Sequence, residues 1–213
     1  EIYTLSLHDA LPILASDVYE ENVKTFAAAF RQKYEKLIVG YSFKTNYVPS
    51  LCFRAKQLGC YAEVVSDMEM DLAMSLGFEN IIFNGPIKRD DALIRAINAG
   101  AIINIDAEYE VDFICQYHHE HPEQEIKAGL RLNVMLTDEK GNSVVQNGLR
   151  CGRFGFPHYI LYRNILKLRD AGIKIISVHG HTSSSDRAVI NYQVISDYML
   201  RVCEEFGLND IEY

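Results

Sequence analysis

The chain has 213 residues, of which 48% are hydrophobic and 23% charged, enough apolar material for one sizeable core and too much for a disordered tail. Its formal net charge is −8, and no run of Lys and Arg is long enough to neutralise a stretch of phosphates, which argues against a nucleic-acid partner. No apolar stretch reaches the length of a membrane span, so no membrane partner is expected either.

Taken in chain order, residues 1–13 (EIYTLSLHDALPI) have neither helical nor strand periodicity. They resemble translated adapter sequence at the edge of an assembled gene, and are expected to be a non-native leader outside a folded domain over 14–213. The D-x-x-E pattern at Asp17 and Glu20 predicts a capping box, opening a helix whose Val23, Phe26, Ala27, Phe30 and Tyr34 share one face. Apolar, strand-like runs then recur at 37–43, 61–65, 80–83, 101–105, 130–136 and 173–178, each followed by a helical pattern. Ser66 and Glu69 form a second capping box with Gly77 placed to end that helix, and a helix over 90–99 stops at Gly100. Residues 137–157 make a longer connection, whose Lys140-Gly141-Asn142 turn chemistry suits a small hairpin or lid. A helix over 186–206 carries Ile195, Tyr198, Met199, Val202 and Phe206 on one stripe. Residues 208–213 read as the start of another strand, so the chain is expected to stop in mid-fold after six βα units.

Strict alternation of strands and helices means a parallel sheet, either a closed (β/α)8 barrel or an open doubly wound sheet. An open sheet usually places a glycine-rich phosphate turn after its first strand, where this chain has Lys44, Thr45 and Asn46. A barrel places functional residues at the C-terminal ends of several strands, which matches Lys44, Ser66, Asn84, Asp106, Arg131, His179 and His181. Lys44 itself has two readings: a lysine desolvated at the end of a buried strand, with a lowered pKa suited to forming a Schiff base, or a solvated lysine just past that strand. Cys52, Cys60, Cys115, Cys151 and Cys203 are odd in number, scattered and without a C-x-x-C pair, which suggests neither a disulfide framework nor a zinc knuckle and fits a reducing cytoplasm.

Several segments together carry a family resemblance. Tyr41-Ser42-Phe43-Lys44-Thr45-Asn46 resembles the Y-x-x-K-x-N cofactor-lysine motif of the pyridoxal-phosphate decarboxylases of alanine-racemase-like barrel fold, the diaminopimelate and ornithine decarboxylase group. In the family's order, Ala62-Glu63-Val64-Val65-Ser66 resembles the second-strand motif, Ile82-Phe83-Asn84-Gly85-Pro86-Ile87-Lys88 the third and Ile103-Asn104-Ile105-Asp106 the fourth. Leu130-Arg131-Leu132-Asn133 resembles the fifth, Arg153-Phe154-Gly155 the [KR]-F-G segment, and His179-Gly180-His181-Thr182-Ser183-Ser184 the sixth-strand H-x-H-x-G-S. The resemblance runs from about Val18 to the last residue.

It implies an incomplete alanine-racemase-like TIM barrel that binds pyridoxal 5'-phosphate and belongs to an amino-acid decarboxylase. Lys44 would carry the cofactor as a Schiff base, His181 would stack on its ring, and Ser184 would hydrogen-bond its phosphate. Glu63 and Arg131 would belong to the charged network around the lysine and ring, with a plain buried ion pair as the other reading of both. The substrate would be a small amino acid (diaminopimelate-, lysine- or ornithine-like), the full-length protein a cytoplasmic homodimer, and this fragment by itself catalytically poor. A racemase, or a non-catalytic cofactor-binding or regulatory barrel, is the alternative. Ser183 stands where the family has glycine and Gly152 where it has serine. The family's seventh-strand G-G-G loop, its E-P-G-R segment and its C-terminal β-domain with a substrate-facing cysteine are not in the sequence. Ser66 has a competing role as a helix cap. Asp106 and Glu108 read as a helix cap and the Tyr159, Tyr162 and Ile165 stripe as core. His118, His119 and His121 read as a solvated helix end rather than a metal cluster.

Overall fold

A computed structural model of the chain describes residues 15–138, 140–145, 149, 152–182 and 188–212. The expected leader, Ser183, Ser184 and Cys151 lie outside the described residues. The elements alternate as the sequence predicts: α1 (Ser16–Arg31), β1 (Gly40–Ser42), α2 (Pro49–Gln57), β2 (Tyr61–Val64), α3 (Asp67–Ser75), β3 (Ile81–Phe83), α4 (Asp90–Asn98), β4 (Ile102–Ile105), α5 (Glu108–Glu120), β5 (Lys127–Leu132), α6 (His158–Asp170), β6 (Ile175–Gly180) and α7 (Val189–Glu205).

The six strands form one sheet in the order β1-β2-β3-β4-β5-β6, every neighbouring pair parallel. Sequential order with a helix in each crossover is the signature of a barrel wall rather than of a doubly wound sheet, whose strand order reverses. The chain thus supplies six βα units of a (β/α) barrel. Beyond β6, the Glu212 amide donates to the Ile176 carbonyl at 2.8 Å, so the segment expected to begin another strand already meets the β6 edge.

The central strands are buried on both faces, as parallel strands are: all four residues of β4 and five of the six of β5 are buried, whereas edge strand β1 has none buried. Ile103, Ile105, Leu130 and Leu132 pack with Phe43, Phe83, Met70, Leu93, Ile114 and Leu161 into one continuous core. Helix ends follow local chemistry. Ser66 accepts from the Glu69 amide, while the Glu69 carboxylate takes the Val65 amide at 2.8 Å, and Gly77 and Gly100 leave their helices at φ +72° and +66°, which only glycine adopts without strain. The 137–157 connection contains the expected hairpin: Thr137 pairs antiparallel with Ser143 across a turn at Gly141.

Three local expectations fail. The Asp17 and Glu20 box does not form; Ala15 precedes α1 without a side-chain cap, and Glu20 pairs instead with Lys24 and Arg54. Of the predicted α1 face only Ala27 is buried, while Phe26, Phe30 and Tyr34 are exposed, because α1 lies beside edge strand β1 with no described element over that face. Tyr159 and Tyr162 are also exposed. In α6 the inward face is Leu161, Asn164, Ile165 and Leu168, and a spacing of three residues drifts off it, so of the three only Ile165 packs inward.

Candidate active site

One cavity of about 670 Å³ opens at the C-terminal ends of the strands. Its walls include Lys44 after β1, Glu63 of β2, Asn84 and Pro86 after β3, Arg131 of β5, and His179 and His181 at the end of β6; Gly152, Arg153 and Phe154 approach from the loop before α6. Four residues singled out in the sequence, Lys44, Glu63, Arg131 and His181, therefore share one space although the chain separates them widely. Ser184 lies outside the described residues, and Ser66 caps α3.

β1 ends at Ser42, so Lys44 sits in the following turn and is exposed at the cavity mouth, not desolvated as a strand-end lysine would be. The turn is firmly held. The Thr45 hydroxyl donates to the Ser42 carbonyl at 2.8 Å, the Tyr41 hydroxyl donates to the Asn46 carbonyl at 2.9 Å, and the Cys52 thiol approaches that same carbonyl at 3.8 Å. Phe43 is fully buried beneath it.

Arg131 and Glu63 do not pair with each other. Arg131 donates through Nη1 to Asp106 Oδ2 at 2.7 Å, both side chains buried, and its guanidinium lies 4.9 Å from the Phe154 ring centre. The second Asp106 oxygen accepts the Gly155 amide at 2.9 Å, so Asp106 ties the guanidinium to the loop that walls the cavity. Asp106 is thus no helix cap; Ala107 precedes α5, and Glu108 pairs with Arg163. Glu63 accepts from Asn84 Nδ2 at 2.9 Å. The His179 and His181 rings are parallel within 3°, their centres 6.4 Å apart. Burial, reinforced by the charges of Arg131, His181 and Lys88, pushes the His179 pKa down to about 3. His181 lies at the exposed rim; partial desolvation first, then Arg131 and Lys44, hold its pKa below the usual value against the opposing pull of Glu63.

Sequence reasoning named Lys88 only as the end of the third-strand segment and gave it no role. It is fully buried and donates to Glu110 Oε2 at 3.0 Å and to the Asn104 carbonyl at 2.8 Å. Desolvation lowers its pKa and raises that of Glu110, each partner's charge opposing the shift of the other. His118, His119 and His121 cluster at the end of α5 and the loop after it, and no group of three metal-ligating side chains occurs among the described residues.

The donor set fits a phosphorylated, aromatic, aldehyde-bearing cofactor. With Arg131 matched by Asp106, Lys44 and Arg153 still outnumber Glu63, the one carboxylate among the described lining residues, which favours an anion, and the Nε of Arg131 is buried without a partner. Lys44 offers a primary amine at the mouth, and the parallel imidazoles offer flat faces to a ring. Over residues 20–208 the chain matches the family described as pyridoxal-dependent decarboxylase, pyridoxal binding domain. The chain belongs to this family. Its cofactor is pyridoxal phosphate.

A probable diaminopimelate decarboxylase, chloroplastic, from rice is 28% identical over 201 residues, covering 89% of this chain and 39% of that protein. The solved diaminopimelate decarboxylase of Helicobacter pylori, complexed with L-lysine, superposes with a TM-score of 0.71 at 19% identity, covering 89% of this chain and 50% of that one. Alanine racemase from Acinetobacter baumannii superposes with a TM-score of 0.65 at 16% identity, covering 90% and 50%. The chain therefore spans about half the length of these solved structures, and less of the rice protein. These two structures establish the barrel fold, which decarboxylase and racemase share. No helix among the described residues is long and apolar enough to cross a membrane.

Proposed function

We propose that the full-length protein is a pyridoxal-phosphate-dependent decarboxylase of a small amino acid that is diaminopimelate-, lysine- or ornithine-like. The observation that carries this reading is the convergence of Lys44, Glu63, Arg131 and His181 on one cavity in a chain whose curated relatives are diaminopimelate decarboxylases. When bound, pyridoxal phosphate supplies an electron sink for the pair left behind as the carboxylate departs.

The chain's own residues would divide the remaining work. Lys44 would hold the cofactor through its amine, and its Nζ, at the cavity mouth, would be placed to carry a proton. His181, whose protonation is disfavoured by partial desolvation and then by Arg131 and Lys44, would offer a flat face to the cofactor ring. Arg131, fixed by Asp106 and Phe154, presents positive charge to an anionic oxygen without needing to reorganise. Glu63 would accept from a nitrogen donor, and Ser184 would contribute to phosphate binding. The full-length enzyme would act as a homodimer. Racemisation is the second reading, because the barrel is common to both activities and does not separate them.

Borohydride trapping followed by peptide mass spectrometry tests the site: a single cofactor label on Lys44 supports it, and labels scattered over surface lysines overturn it. The full-length product, offered diaminopimelate, lysine and ornithine, should release carbon dioxide from at least one. Exchange of the α-hydrogen with deuterated solvent and no carbon dioxide would establish racemisation instead; a Lys44 label with neither activity would establish a binding protein.

A further inference from the structure

Beneath the cavity a line of buried polar side chains crosses the sheet. The Ser177 hydroxyl of β6 donates to Asn104 Oδ1 at 3.0 Å, Asn104 Nδ2 of β4 donates to Asn84 Oδ1 at 2.6 Å, and Asn84 Nδ2 donates to Glu63 Oε1 of β2 at 2.9 Å. Ser177, Asn104 and Asn84 are 4%, 3% and 8% exposed. The polarity of the line has no freedom. With Glu63 Oε1 as the acceptor, Asn84 turns its amide nitrogen to Glu63 and its oxygen to the Asn104 nitrogen, which leaves the Asn104 oxygen for the Ser177 hydroxyl.

The sheet is built to let this line through. Asn104 pairs in register with Gly129 of β5, and Gly129 with Ser177 of β6, so a glycine lies between the two side chains that must meet. A Cβ on Gly129 would collide with Asn104 Oδ1 and lie 2.8 Å from Ser177 Cβ. The flanking residues Ile103, Ile105, Ala128 and Leu130 alternate to the opposite face of the sheet and join the apolar core there, so the polar line is confined to one face. Polar side chains this deep are costly unless fully hydrogen-bonded, and an apolar set would serve packing alone.

We propose that Asn84, Asn104 and Ser177 are positioning residues, which fix the Glu63 carboxylate in the cavity through a one-way hydrogen-bond relay. Glu63 is the only carboxylate among the described residues lining the cavity. With Oε1 held from below, Oε2 remains for a nitrogen donor: the Nζ of Lys44 or the amine of an incoming amino acid. The relay rests on the functional reading above, because without a cofactor or substrate in this cavity an oriented Glu63 has nothing to act on.

The test is a double-mutant cycle between Ser177→Ala and Glu63→Gln in the full-length protein. It reads the pyridoxal phosphate concentration that gives half-maximal borohydride-trapped label on Lys44, together with kcat and KM for the accepted amino acid. Ser177→Ala removes one hydroxyl and keeps the fold. Loss of one hydrogen bond to the relay should raise the half-labelling concentration about 2- to 10-fold in the parent protein. In the Glu63→Gln background the same substitution should have an effect below about 2-fold, since coupled residues are non-additive and independent ones add. Asn104→Leu, which cuts the relay at its centre, should show the same dependence on Glu63 with a larger effect. Equal fold-changes in both backgrounds, or no effect of Ser177→Ala in the parent, would overturn the relay while leaving the function standing. Failure of the parent protein to label Lys44 would sink the functional reading, and the relay with it.

Discussion

Arg131 lies directly opposite His179 in the parallel pairing of β5 with β6, so the two side chains emerge side by side from neighbouring strands and both line the cavity. The guanidinium has its counter-ion in Asp106, and the imidazole is left beside a fixed positive charge, with its Nδ1 buried and unpartnered. Protonating His179 would add a second cation to this spot, in a place where desolvation already disfavours it.

A pH dependence follows from that neighbour. The His179 pKa is pushed down from its ordinary 6.5 to about 3, so between those values the unfolded chain holds a proton that the folded chain does not. The unfolded state binds more protons there, and stability rises with pH across the window. His179 therefore contributes stability that is fully present above pH 6.5 and is lost as the pH falls towards 3. Urea midpoints recorded across this range should fall more steeply in the parent protein than in His179→Gln. Parallel curves would mean that His179 is readily protonated in the folded state.

Gly155 should tolerate no side chain. It sits at φ +79°, and an added Cβ would stand 2.7 Å from the Arg131 carbonyl oxygen, on the strand that presents the guanidinium. Backbone strain of this kind costs about 1–3 kcal/mol, and relieving it would pull the Gly155 amide from Asp106. Gly155→Ala should lower the denaturation midpoint and weaken cofactor labelling at Lys44 together. Gly152→Ala, where the nearest atoms lie 3.9 Å from an added Cβ, should change stability little and serves as the control.

What the sequence made legible was periodic or local. The apolar runs located every strand, and Ser66 with Glu69 located a helix start, because these signals lie within a few residues of their effects. Strand ends were less legible at the site. The run at 130–136 was displaced from Lys127–Leu132 because Asn133 leaves the ladder to bond the Phe156 carbonyl, a partner contributed by a distant loop. The run at 173–178 stopped short because His179 and Gly180 are not apolar, although they still pair in the sheet with Arg131 and Leu132. Asp106 resembled a cap since only the folded sheet brings Arg131 to it. The exposed faces of α1 and α6 show the opposite error, an apolar pattern without a neighbour to bury it.

Lys88 was the least legible residue of all, since a lysine after Gly85-Pro86-Ile87 has every local mark of a surface loop. Its partner, Glu110, comes from α5, and the pair is completely inaccessible. The Glu110 carboxylate also accepts the Asp106 amide at 2.9 Å and the Tyr109 hydroxyl at 3.1 Å, and Lys88 lies 5.6 Å from the Phe83 ring centre. Removing one charge strands the other in a medium that cannot solvate it, so Lys88→Met should destabilise the fold by about 3–5 kcal/mol. Replacing both members with apolar side chains removes the stranded charge. Lys88→Met with Glu110→Leu should therefore recover much of the loss, less the bonds to Asp106 and Tyr109 that Glu110 alone provides. Chemical denaturation of the two single variants and the double decides the matter: a double variant as unstable as the sum of the singles would show that Lys88 and Glu110 act independently, and that the lysine is held by its bond to the Asn104 carbonyl.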